Sequence, residues 1–242
     1  AFHTFERIGL FLETTEKSGV PEGRFPGKIP AERLRLYLDR QRMATGTGLP
    51  HRRRLVVEYT TAGAGKLHAA VLHTFWGGAV NLPLALILRT VLADTGIDTD
   101  VRADDGGAAF LFPAARDQYT GITALLRGLE PESVPILAAR ALGGSGFFGA
   151  RFRENLGRAL LLPNAGFDRR TPFWLLRRKA RALYEKVRGS GDFPITAETY
   201  RQCLTDCFDL PRLSLLLAEI RSGETAIAEC RTRKPSPFAE GV

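Results

Sequence analysis

Arg54-Leu55-Val56-Val57-Glu58-Tyr59-Thr60 is followed by Ala62-Gly63-Ala64-Gly65-Lys66 and then by the largely apolar run Leu67 to Phe75. β-Branched and aromatic residues fill the first stretch, and small residues and glycine fill the second. This order predicts two strands joined by a turn, a β-hairpin. Val80 to Asp94, rich in Leu and Ala and almost free of charge, then predicts a helix buried on most of its surface. A second hairpin is expected where Asp98 to Ala103 and Ala108 to Phe112 flank Asp104-Asp105-Gly106-Gly107.

Outward from this centre the periodicity turns helical. Upstream, Phe5 to Glu16 carries Phe5, Ile8, Phe11 and Leu12 at helical spacing, with Leu10 widening the face. Ala31 to Arg42 is expected as a second helix with Leu34, Tyr37 and Leu38 inward, after a loop from Pro26 to Pro30. Downstream, helices are predicted over Arg116–Leu126, Glu132–Ala141, Phe147–Leu161, Pro172–Arg188, Thr196–Cys207 and Leu213–Ser222. A last strand, Thr225 to Thr232, precedes the tail. The expected class is α+β: β-hairpins with a packed helix, then a mainly helical part, then a returning C-terminal strand. Three parts are expected within one compact unit: an N-terminal helical segment at 1–44, a mixed part at 45–112 and a mainly helical part at 113–242.

Composition narrows the function classes. At 44% hydrophobic and 25% charged residues, the 242-residue chain is neither disordered nor membranous in composition. No apolar run reaches the ~18 residues of a membrane span. The first residues include Glu6 and Arg7, unlike a secretory leader, and with Ala1 in place of methionine a fragment or processed product is expected. Three cysteines, Cys203, Cys207 and Cys230, cannot all pair within one chain, which points to a reducing, cytoplasmic setting. Cys203 and Cys207 lie four apart on one helix face, but no histidine is near in sequence, so small buried thiols are expected rather than a metal site.

Charge is concentrated. Between Arg151 and Ser190 lie eleven basic and three acidic residues, a net +8 equal to the excess of the whole chain. The remainder balances at 23 of each sign. A local basic excess is the footprint of a polyanion partner, or a solvated face compensated in space by acids elsewhere.

The catalytic motifs are weak. Gly63-Ala64-Gly65-Lys66 has the look of a phosphate-binding loop, but Leu67 stands where a Mg²⁺-binding hydroxyl is needed and Thr60 where the first glycine is needed. A hairpin turn explains it. Asp104-Asp105-Gly106-Gly107 reads as a turn rather than a metal site. The sequence shows no recognisable nucleophile elbow and no paired carboxylates with a nearby histidine that would suggest acid/base chemistry.

The helix after Thr171 is more informative. Thr171 suits an N-cap and Pro172 the first helical position. Phe173, Leu176, Ala180, Leu183 and Val187 form the expected buried stripe, and Trp174, Arg177, Arg178 and Arg181 share another side. A Trp beside guanidinium groups can stack a base while the arginines hold phosphates; packing of Trp174 on a neighbouring helix is the alternative. The preceding helix presents Phe148, Phe152, Leu156 and Ala159 on one face and Arg151, Glu154, Asn155 and Arg158 on the other, with an intrahelical Glu154–Arg158 pair expected. Arg169-Arg170 precede a helix start, where positive charge is unfavourable unless an anion also sits there. Arg52-Arg53-Arg54 reads as a charged strand opening.

Several stretches resemble one family in their joint order. They are Leu49-Pro50-His51-Arg52, Leu55-Val56-Val57-Glu58, Leu72-His73-Thr74-Phe75, Gly78-Ala79-Val80-Asn81 and Phe148 to Asn155. Arg158 to Pro163, Arg170 to Trp174, Asp192-Phe193-Pro194-Ile195, Glu198-Thr199-Tyr200-Arg201, Phe208-Asp209-Leu210-Pro211 and Ser236-Pro237-Phe238-Ala239 follow. Together they are similar to the DEAD/DEAH-associated region of Lhr-type (large helicase-related) superfamily 2 helicases. The chain departs from that pattern after Gly77-Gly78, with no basic residue until Arg89. The resemblance implies a C-terminal accessory piece of a core built from RecA-like lobes and a winged helix. Such cores use ATP and Mg²⁺ to move 3′ to 5′ on single-stranded DNA, unwind duplexes including RNA–DNA hybrids, and are linked to DNA repair. On this reading the chain itself needs no cofactor and hydrolyses no ATP alone.

The resulting expectation is a non-catalytic module in which Arg151, Arg158, Arg169, Arg170, Arg177, Arg178 and Arg181 hold a strand backbone and Trp174 stacks a base. The alternative is a module whose basic faces dock on the motor lobes.

Overall fold

The computed structural model describes residues 2–21, 28–113, 121–162, 171–189 and 193–242. Its element order is α1 (Phe2–Ser18), α2 (Lys28–Thr45), β1 (Arg54–Ala62), β2 (Leu67–His73), α3 (Gly78–Asp94), β3 (Asp100–Ala103) and β4 (Gly107–Pro113). It continues with α4 (Ile122–Gly128), α5 (Val134–Leu142), α6 (Gly146–Arg158), α7 (Phe173–Val187), α8 (Pro194–Arg201), α9 (Leu210–Ser222) and β5 (Ala226–Arg231). The class is α+β, as expected. Of the loop expected from Pro26 to Pro30, Pro26 and Gly27 lie outside the described residues, whereas Lys28 to Pro30 already belong to α2, which starts before the expected Ala31. The start of the helix expected at Arg116 also lies outside the described residues.

Residues 1–134 with 211–242 form one compact unit, and residues 135–210 form a second. The first holds the sheet, in the order β3-β4-β2-β1-β5. β1–β2, β2–β4 and β3–β4 are antiparallel, with Val57 opposite Leu72 and Val71 opposite Ala109. β5 returns from the end of the chain and pairs parallel with β1. The glycine turn at 63–65 is a short 3₁₀ segment between two strands, so the phosphate-loop reading fails on structure as it did on sequence.

Both faces of the sheet are covered, which is why β1 is buried over six consecutive residues instead of alternating. Leu55, Val57, Ala70, Leu72, Phe110 and Phe112 lie at 0–1% exposure. α3 packs against β3 and β4, and its Leu84, Ala85, Ile87 and Leu88 are fully buried. Each large side chain so buried contributes about 1.5–3 kcal/mol.

The second face is closed by α1, α2 and the tail. Leu12, Leu38, Leu49 and Phe238 form one cluster with Ile8, Phe11, Leu34 and Phe75 against it. Two apolar assignments are corrected here. Leu10 is exposed, because the α1 stripe is narrower than its apolar content. Tyr37 is 41% exposed: its hydroxyl reaches out to the Pro237 carbonyl at 3.0 Å while its ring tilts on Phe238.

A buried carboxylate fixes the tail. Glu58, in β1, is 0% exposed. It accepts hydrogen bonds from Thr232 Oγ1 at 2.7 Å, Ser236 N at 2.8 Å and the Ser236 hydroxyl, and it pairs with His73 Nε2 at 3.0 Å. Gln41 closes the network by donating to Ser236 Oγ at 3.1 Å and accepting from Phe238 N at 2.8 Å. Burial alone raises the Glu58 carboxyl, but these donors together outweigh it and hold the group below its ordinary value.

Charged side chains tie the outer helices to β1 and the turn that leads into it. Arg52 makes a bidentate contact with Glu219 of α9 at 2.6 and 2.7 Å, and Arg54 meets Glu16 of α1 at 2.6 Å. The basic run at 52–54 is thus a strand opening in which Arg52 and Arg54 have local acidic partners. The acidic turn is equally structural. Asp104 Oδ1 accepts from Gly106 N and Gly107 N, and Asp105 Oδ1 caps α3 by accepting from Gly78 N at 2.8 Å.

Gly107 opens β4 opposite His73, so close to β2 that an added Cβ would meet the Leu72 carbonyl. Gly107→Ala is expected to lower stability by about 1–3 kcal/mol through the backbone shift it forces. Urea denaturation of the two proteins checks this; equal midpoints would contradict the packing described.

Candidate nucleic-acid interface

The second unit is built on α6. Ser145 caps it, with Oγ accepting from Phe148 N at 3.0 Å. Phe148, Phe152 and Leu156 face inward, as the periodicity predicts, but Ala159, expected on the same face, is exposed because the helix has already ended. Phe148 meets Tyr184 of α7 at 5.0 Å and Tyr200 of α8 at 4.7 Å between ring centroids. Asn155, expected on the polar face, is instead buried and donates to Thr199 Oγ1 and Gln202 Oε1, both at 3.0 Å. α6 ends at Arg158 rather than Leu161, because Leu160 takes a left-handed φ of 56°. Ala159 is the C-cap, and Leu160 and Leu161 are exposed.

α7 packs on α6 through Ala180, whose small side chain permits close approach. The expected stripe is only partly realised: Leu176, Leu183 and Val187 are half-buried, and Phe173 is 60% exposed. The start also moves by one residue. Pro172, at ψ 138°, occupies the cap position, and its carbonyl accepts from Leu175 N and Leu176 N. Thr171 therefore lies outside the helix and does not cap it.

The net charge of α7 falls on its exposed side. Arg177, Arg178, Lys179 and Arg181 are exposed and make no ion pair among the described residues. Arg158 is exposed and likewise without an ion pair there. Arg151 differs: it binds Glu154 at 2.9 Å and lies 5.5 Å from the Phe147 ring centre. The expected Glu154–Arg158 pair is thus replaced by Arg151–Glu154. Arg169 and Arg170 lie outside the described residues.

A groove of about 690 Å³ runs between α6, α7 and the loop Gly143-Gly144-Ser145. Arg177, Arg178 and Arg181 line it, joined by Arg153 and Phe173. Arg153 lies 4.6 Å and Arg177 6.0 Å from the Phe173 ring centre. Among the described residues the acid on the groove is Glu185, which pairs with Arg188 at 3.1 Å. Trp174, 61% exposed, stands off the groove with Arg178 5.2 Å from its ring. The structure therefore brings together three of the expected arginines, leaves Arg151 and Arg158 elsewhere on α6, and adds Arg153.

Arg153 was legible in principle. Gly146, Gly149, Ala150 and Arg153 recur at three and four along α6, a small-residue face ending in an arginine. That face is where α7 comes near and where the groove opens. Among the described residues no three His, Cys, Asp or Glu side chains group as metal ligands, and no helix is long and apolar enough to cross a membrane. Cys203 is buried within a π-helical turn, and burial pushes its thiol up to about 12.

The described residues thus hold a five-stranded mixed sheet in one unit and an arginine-faced helical pair in the other. Sequence and structure place the chain more closely. The DEAD/H associated family matches residues 49–239, and the chain belongs to that family. It is 35% identical to an Escherichia coli Lhr helicase/uracil glycosylase over 98% of this chain and 16% of that protein. It is 37% identical to a Mycolicibacterium smegmatis Lhr helicase/probable uracil glycosylase over 87% of this chain and 14% of that protein. The chain thus spans about a sixth of these relatives. A structure of the Mycobacterium smegmatis helicase Lhr bound to ssDNA and AMP-PNP superimposes with a TM-score of 0.77 at 33% identity, covering 96% of this chain and 28% of that one.

Proposed function

We propose that this chain is the accessory domain of an Lhr-type ATP-dependent helicase and that the exposed basic side of its α6–α7 unit holds the backbone of a single strand, of DNA or of an RNA–DNA hybrid. ATP and Mg²⁺ would serve the RecA-like lobes of the parent, beside its winged helix, and not residues of this chain. The observation that carries the reading is the cluster of Arg177, Arg178 and Arg181 on one groove, unpaired by carboxylates among the described residues. Guanidinium groups so placed repel one another and gain by neutralising phosphates. Contacts of this kind ignore sequence, as a moving strand requires. A second reading has its own support. Leu160, 74% exposed, and the exposed Leu161 give one end of this unit an apolar surface that suits docking on another part of the parent protein.

Fluorescence anisotropy of a labelled single strand, titrated with the chain at several salt concentrations, tests the proposal. Affinity is expected to fall with salt by about 0.7 per neutralised phosphate on logarithmic axes. Arg177→Ala/Arg178→Ala is expected to bind more weakly with a shallower slope. A folded chain that binds no strand at low salt would move the assignment to docking.

A further inference from the structure

We infer that the groove between α6 and α7 receives a nucleobase of the bound strand, stacked with Phe173, and that Arg153 and Arg177 hold the phosphates on either side of it. This rests on the strand-holding reading above and gives it a specific seat.

Phe173 is the reason to go beyond a backbone contact. A phenylalanine at the start of a helix, more than half exposed, buries little apolar surface of its own. It is also flanked by two guanidinium groups, at 4.6 and 6.0 Å from its ring centre. Arginine beside an exposed aromatic ring is the usual composition of a base-stacking platform, with charge for the backbone and a π-face for the base.

The groove has room beside that ring. Its volume of about 690 Å³ lies in the range of small-molecule pockets. Gly144, Gly146 and Gly149 line it without side chains, and a Cβ added at any of them would meet nothing within 4 Å. Its floor is aromatic, through Phe148, Phe152 and Tyr184. Gly143 has a different task, since a Cβ there would strike the Tyr184 and Tyr200 hydroxyls. The two tyrosines hydrogen-bond each other, and burial with that bond keeps Tyr200 protonated well above the ordinary range.

Charge complementarity selects the occupant. Four arginines face the groove against Glu185, which is already engaged by Arg188. An apolar side chain of a protein partner would leave these charges unused. An acidic peptide would engage the arginines and leave Phe173 idle. A nucleotide uses both. Trp174 does not compete for the role, because it stands outside the groove.

The test compares two labelled probes in anisotropy, an oligothymidylate and an abasic phosphodiester strand of equal length, with the whole chain. The wild type is expected to prefer the strand with bases. Phe173→Ala is expected to lose about 5- to 100-fold on that strand and nothing on the abasic one, and Phe173→Trp to restore the preference. Because Phe173 is exposed, the variant's thermal melt should match the wild type. Phe173→Ala binding both probes like the wild type would overturn the proposal while leaving backbone binding intact. So would loss of the preference in Trp174→Ala alone, which would put the stack on the other side of α7. Wild-type chain that binds neither probe would overturn the strand-holding reading itself, and this one with it.

Discussion

Glu58→Ala is expected to destabilise the chain by about 3–5 kcal/mol, the size of effect seen when one partner leaves a buried polar cluster. The carboxylate is wholly enclosed, and its removal orphans the Thr232 hydroxyl, the Ser236 amide and hydroxyl, and the His73 partner bond together. Each buried donor left unpaired costs about 1–3 kcal/mol. The tail from Thr232 to Phe238 loses its anchor, and Phe238 with it loses its seat against Phe75 and His73. Urea denaturation reads the loss as a lower midpoint.

The pH dependence has a definite sign. The folded-state carboxyl of Glu58 lies below its ordinary value of 4.5. It therefore contributes stability that is fully present above 4.5 and is lost as pH falls through the lower folded value. Stability of the wild type relative to Glu58→Gln should be level at neutral pH and shrink on acidification below 4.5. A difference that stays constant through that range would contradict the ionised, hydrogen-bonded state described.

Arg177→Glu/Arg181→Glu is expected to reduce single-strand affinity by more than about 100-fold at low salt. Two attractive contacts become two repulsive ones, and every 1.4 kcal/mol is tenfold in binding. Removing two phosphate contacts should also lower the logarithmic salt slope by about 1.4. Both residues are exposed, so stability should change by no more than about 0.5 kcal/mol. Unchanged binding in a variant that melts normally would show that the strand, if held, lies elsewhere.

The two hairpins and α3 were readable because local signals agree there: β-branched runs, glycine turns and a continuous apolar helix. The parallel pairing of β5 with β1 was not, because the two strands are separated by most of the chain and parallel register leaves no short-range signature. α7 was readable as a helix but not in its packing. Its apolar periodicity is real, yet Phe173 is exposed and Ala180 is the buried residue of the helix.

Several of the stretches that carry the family resemblance turn out to be internal. Glu58, His73 and Ser236 come from three of them and meet in one buried network. Thr74 and Asn81 come from two and bond at 2.7 Å, and Asn155 and Thr199 from two more. These motifs specify the fold. The candidate interface is written mainly in arginines, which charge counting located to one window, and in the glycine face of α6, which only helical geometry reveals.

The central claim is that a strand lies on the α6–α7 side of the second unit. Hydrogen–deuterium exchange of the chain with and without a saturating single strand tests it most directly. Protection is expected in 143–153 and 173–188, with the sheet at 54–73 and 100–113 unchanged. Protection confined to the sheet unit, under conditions where the strand is bound, would contradict it.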